Sequence, residues 1–146
     1  MTRWLFIAVL LVGAAMVGLW VITPIGFVDA STRADGRVLA SDGAPLAGAT
    51  VRLILPSAGE TTTTDARGCF HIFRIHSPRD RGASLDVTHP GMKSWLQKTR
   101  GTGDLAAEVR LEPLASPAAS RGWFRGLRES DRAQLECRDP LEPTAR

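Results

Sequence analysis

The stretch GRVLASDGAPLAGATVRLIL, residues 36–55, followed by ETTTTDARGCF, residues 60–70, decides how this chain folds. Apolar side chains recur at every second position, at Ala49, Val51, Leu53 and Leu55. Successive side chains of a strand point to opposite faces, so this period gives a half-buried strand with its odd-numbered side inward. Before it, Arg37 to Ala40 makes a short strand, and Ser41 to Pro45 reads as a turn. There glycine can take positive φ and proline fixes its own. After it, the four threonines at 61–64 are β-branched and suit a solvated strand, the exposed edge of the sheet.

The same grammar continues. Asp65 to Gly68 is a tight turn, after which Phe70 and Ile72 point inward and Cys69 and His71 outward. Phe73 and Ile75 break that alternation and predict a bulge near Phe73. Ser77 to Gly82 is a charged loop. Leu85 and Val87 mark a fifth strand, Met92 to Thr99 a sixth, and Leu105, Ala107, Val109 and Leu111 a seventh, ended by Pro113. Short strands separated by Gly and Pro turns, with no helical stretch between them, favour an all-β antiparallel sandwich over a parallel sheet.

The chain has 146 residues, 44% hydrophobic content and a net charge of +3. Much of the apolar content lies in an uncharged run from Trp4 to Ile22. As a helix this run would be about 28 Å long, close to a hydrocarbon core of roughly 30 Å. Trp4 and Trp20 sit near its ends and Thr23-Pro24 would stop it. Residues 4–22 are therefore expected to engage a membrane as an uncleaved anchor. A cleavable signal peptide ending near Ala30, which would release the protein, is the competing reading. The small charge of mixed sign gives no reason to expect a nucleic-acid partner. The expected division is a leader over residues 1–30, a linker over 31–35, the sandwich over 36–114 and a tail over 115–146.

The order Gly-x-Val from Gly36, the segment 42–51, the segment 64–70 and Val87-Thr88-His89-Pro90-Gly91 resembles the carboxypeptidase regulatory-like domain. The resemblance covers residues 36–114. It implies a seven-strand sandwich of transthyretin-like type, in which Gly36, Pro45, Leu46, Gly48, Ala49, Val51, Asp65, Gly68 and Phe70 set turns and fill the core. It implies no chemistry of the domain's own. Met92, where relatives commonly carry an aromatic, and Cys69 depart from the pattern. Two enzyme groups share or resemble this sandwich. Intradiol dioxygenases hold iron with tyrosines and histidines, and this chain has no tyrosine. The 5-hydroxyisourate hydrolases end in Tyr-Arg-Gly-Ser, which is also missing here.

Three histidines, His71, His76 and His89, are the candidates for metal or acid–base work, with His71 and His76 expected near one another on one face. None has the spacing that pre-organises zinc ligands. Cys69, His71 and Asp86 are the nearest approach to a hydrolytic triad, without a nucleophile elbow. Cys69 and Cys137 either pair in one disulfide, tethering the tail, or stay as two thiols. In the tail, Ala115 to Ser120 reads as a linker. Arg121, Arg125, Arg128 and Arg132 fall at helical spacing beside Trp123 and Leu127. That pattern predicts either a short amphipathic helix touching anionic lipid, with Trp123 and Phe124 as wedges, or a poorly structured tail.

The expectation from sequence is a non-enzymatic, membrane-tethered module outside the cytoplasm, serving adhesion, scaffolding or ligand binding, without a cofactor. A carbohydrate-binding module, using Trp95 or Trp123 as its platform, is the first alternative. A small metal-binding or hydrolytic protein using His71, His76 and His89 is the second.

Overall fold

The structure, a computed structural model, describes residues 29–131 and 137. It is nearly all β, with eight strands: β1 (Ala30–Ala40), β2 (Thr50–Ile54), β3 (Gly59–Thr63), β4 (Cys69–His76), β5 (Ala83–Thr88), β6 (Trp95–Thr99), β7 (Asp104–Leu111) and β8 (Arg121–Gly126). Two four-stranded sheets run in the orders β4-β1-β7-β8 and β3-β2-β5-β6. All pairings are antiparallel except β1 with β7, which is parallel. No helix among the described residues is long and apolar enough to cross a membrane. The expected leader helix over residues 4–22 lies outside the described residues.

The inner faces form one core, with Val51, Leu53, Leu85, Val87, Val109 and Leu111 at zero exposure. Each sits at an alternate position of its strand, as the period of two requires. Gly68, at φ +73°, lets the β3–β4 turn pass against β1: a Cβ there would lie 2.3 Å from the carbonyl oxygen of Val38. No other residue type fits that contact at that dihedral.

Several expectations are corrected. Among the described residues the strands number eight rather than seven, and one pairing is parallel. β1 also starts at Ala30, so residues 31–35 are strand and not linker. Their inward positions are Thr32 and Ala34, too polar or too small to register as a hydrophobic period. There is no break at Phe73: β4 pairs with β1 without interruption from His76↔Ala30 to Cys69↔Arg37. Phe73 and Ile75 simply point outward, each 55% exposed.

A further correction concerns the tail. Arg121–Gly126 is neither helical nor unstructured but the edge strand β8, paired with β7 from Arg110↔Arg121 to Leu105↔Gly126. Phe124 turns inward to 1% exposure. Burial of such a side chain stabilises the sandwich by about 1.5–3 kcal/mol. A Cβ at Gly122 would lie 2.6 Å from the Glu108 carbonyl oxygen, so the backbones of β7 and β8 approach as only glycine allows. A helical turn opens only at Glu129.

Candidate functional site

On the outer face of the first sheet, the pairing registers align His71 (β4), Asp35 (β1), Ala106 (β7) and Arg125 (β8) in one row. The His71 Nδ1 is in short contact with Asp35 Oδ1, and Arg33 Nε donates to Asp35 Oδ2 at 3.0 Å. The carboxylate is thus gripped at both oxygens, with its side chain 18% exposed against 39% for His71. In the neutral imidazole, Nδ1–H donating to a carboxylate fixes the tautomer and leaves Nε2 as the lone-pair nitrogen. Nε2 makes no hydrogen bond among the described residues.

The rest of the row is closed off. Ala106 has no exposure although it lies on the outward side. Beside it, Arg125 Nη2 donates to Asp131 Oδ1 at 2.9 Å, and Arg128 N–H donates to Asp131 Oδ2 at 3.1 Å. The guanidinium holds the Asp131 carboxyl below its usual range, burial opposes this, and the Arg128 amide helps. Arg125 also lies over the Trp123 ring, 4.4 Å from its centroid. Cys69, on β4 two residues before His71, is bonded to Cys137. Asp131 is therefore tied to one edge strand of this sheet and Cys137 to the other.

The three histidines do not converge. His71 points outward; His76, on the even-numbered side of β4 with Phe70 and Ile72, points inward with its side chain at zero exposure. His76 Nδ1–H donates to the Ser77 carbonyl at 2.9 Å, which makes Nε2 the acceptor for the Thr32 hydroxyl at 2.8 Å. Asp80 Oδ2 lies 3.4 Å from Nδ1 and receives the Ser57 hydroxyl at 2.6 Å. On paper Thr32, His76 and Asp80 form a triad. Thr32 is at zero exposure, however, and its oxygen also accepts the Gly103 N–H at 3.3 Å, so the cluster is a buried tie between loops. His89 lies in the turn after β5, in the loops at the far end of the sandwich, with Nδ1 donating to the Pro90 carbonyl at 2.8 Å.

The Cys69, His71 and Asp86 arrangement is not assembled: Asp86 belongs to the other sheet and Cys69 is in a disulfide. No group of three His, Cys, Asp or Glu that could hold a metal occurs among the described residues. The glycan platform also fails, because Trp95 is 8% exposed and Trp123 is covered by Arg125. The lipid wedge at Trp123 and Phe124 is corrected likewise, since Phe124 is in the core. Asp35 and Arg33 were invisible as site residues. Their link to His71 spans 36 positions and exists only once β1 pairs with β4.

No family model matches the chain, and no curated protein does. Solved structures are similar to it, among them a catechol 1,2-dioxygenase from Pseudomonas arvilla C-1, with TM-score 0.48 and 15% identity over 68% of this chain and 58% of that one. Another is the mercury-inhibited catechol 1,2-dioxygenase from Acinetobacter sp. ADP1, at 0.47 and 11% over 64% and 56%. A third is 3-chlorocatechol 1,2-dioxygenase from Rhodococcus opacus 1CP, at 0.42 and 11% over 72% and 63%. The chain spans between 56% and 63% of the length of each. These neighbours are enzymes, and on that finding the expectation of a non-enzymatic module for adhesion, scaffolding or binding is corrected. With TM-scores below 0.5 the likeness transfers neither reaction nor substrate to this chain.

Proposed function

We propose that this chain is a membrane-held protein outside the cytoplasm that performs proton transfer at His71, with Asp35 as the carboxylate that orients it. The reading rests on one observation, the contact of His71 Nδ1 with an Asp35 carboxylate whose other oxygen is held by Arg33. A histidine so oriented offers Nε2 to water or to a substrate hydroxyl as a general base, then returns the proton as the acid. Such a group supplies about 10²–10⁴ in rate. The Cys69–Cys137 disulfide favours an oxidising compartment. Residues 4–22 would supply the membrane attachment. The substrate class this suits is a small polar molecule carrying a hydrolysable bond, attacked by the activated water.

The test uses the full chain in lipid nanodiscs against a panel of chromogenic esters, phosphoesters and glycosides. Turnover should fall by about 10²–10⁴ in His71→Gln. Asp35→Asn should lower it less, while His89→Gln changes nothing. Imidazole nitrogen shifts measured by NMR should place the His71 proton on Nδ1 in the wild type. Equal turnover in His71→Gln, or no turnover above buffer across the panel, ends this reading.

A further inference from the structure

The end of the sandwich where the leader enters carries both apolar and basic groups that nothing in the fold uses. Ile75 and Phe73 occupy consecutive outward positions on the edge strand β4, each 55% exposed. Their pairing partners are Ser31 and Arg33, so the patch lies beside the first residues of β1, which follow the leader. The loop that leaves β4 presents Arg79 and Arg81, and the loop before β7 presents Arg100, all exposed. None of the three makes an ion pair among the described residues. The acid in the same loop, Asp80, is turned inward to Ser57 and His76 and neutralises nothing at the surface.

The apolar run ends at Ile22, and Thr23 to Asp29 are all that separate it from β1. Seven residues reach at most about 25 Å, even fully extended. If residues 4–22 cross a bilayer, this end of the sandwich cannot leave the headgroup region by more than that. Bulky apolar side chains held there gain by entering the acyl boundary, and cations gain from anionic headgroups. The opposite end, with the turns at 41–48 and 64–68, exposes Leu114, but Arg67 and Arg121 there face Asp65 and Glu112, and the length of β1 separates it from the leader.

We infer that the sandwich lies on an anionic lipid surface by this end, with Phe73 and Ile75 in the headgroup boundary and Arg79, Arg81 and Arg100 on lipid phosphates. The inference rests on the reading of residues 4–22 as an anchor, though not on any chemistry at His71. It places the row that carries His71 two residues along β4 from Phe73, at the next outward position.

The experiment places the photo-crosslinker benzoylphenylalanine singly at Phe73, Ile75, Leu11 or Ala47 in the full chain. Each variant is reconstituted in vesicles of pure phosphatidylcholine or with phosphatidylglycerol added, and adducts are read by mass spectrometry. Lipid adducts at positions 73 and 75, several-fold above position 47 and stronger with phosphatidylglycerol, are the expected result. The double variant Arg79→Glu with Arg81→Glu should lower them, with its urea midpoint unchanged. Adducts at position 11 but none at 73 or 75 overturn the inference while leaving the anchor intact. Adducts at none of these positions overturn both. A crosslink from position 73 to a second copy of the chain, or yields unaffected by phosphatidylglycerol and by the double variant, also overturns it.

Discussion

Arg125 Nη2 and Asp131 Oδ1 meet at 2.9 Å, with the aspartate side chain 2% exposed and the arginine 43%. Their contact pins the start of the tail to β8, and its energy depends on pH in a definite direction. The folded carboxyl is held below its usual value, so it binds its proton more weakly than the unfolded one, whose pKa is about 3.9. The stabilisation is complete above that value and is lost as pH falls through the lowered folded one. Asp131→Asn should lower stability at pH 7 by about 1–2 kcal/mol, less than for a fully buried pair because Arg125 is part-exposed. Urea denaturation across pH 2–7 should show the gap to wild type closing in acid.

The glycines of β8 separate a strand from a helix. Gly122→Ala places a Cβ against the Glu108 carbonyl and should cost about 1–3 kcal/mol. Gly126→Ala meets nothing within 4 Å and should change stability by less than about 1 kcal/mol. In a helix both substitutions would stabilise, since glycine is about 1 kcal/mol poorer than alanine there. Thermal melts of the two variants decide between these.

The disulfide joins positions 68 residues apart, so it removes a long loop from the unfolded ensemble. Cys137→Ser should lose about 2–4 kcal/mol in urea under non-reducing conditions. Dithiothreitol should bring the wild type to the same midpoint and leave the variant where it was.

The buried tie at Thr32 is tested by Thr32→Val, which removes the donor to His76 Nε2 and the acceptor for the Gly103 N–H. The expected loss is about 1–3 kcal/mol by chemical denaturation. Thr32→Ser keeps the hydroxyl and should lose less. Turnover at His71, on the opposite side of the sheet, should be unchanged in the folded variants.

The core strands were legible because Val51, Leu85, Val87, Val109 and Leu111 alternate with polar neighbours, and that period records burial directly. β8 was not, because Arg121, Arg125 and Arg128 fit a helical stripe as well as Arg121, Trp123 and Arg125 fit a strand face. Only the close approach of β7 at Gly122 decides between them. Phe73 and Ile75 read as a bulge because an outward apolar pair mimics a change of face.

The candidate site lay further out of reach. His71 was visible as a residue, but its partner sits in a run whose inward positions are Thr32 and Ala34, with almost no hydrophobic signal.

What the linear order of residues settled was local: where strands run, where glycine and proline turn the chain, and which side of most strands is dry. Those follow from backbone geometry and side-chain alternation within a few residues. The parallel β1–β7 pair, the Cys69–Cys137 bond, the inward turn of His76 and the meeting of Asp35 with His71 were decided by tertiary structure. Each depends on the register between strands remote in sequence, which is set by how the two sheets close over one core.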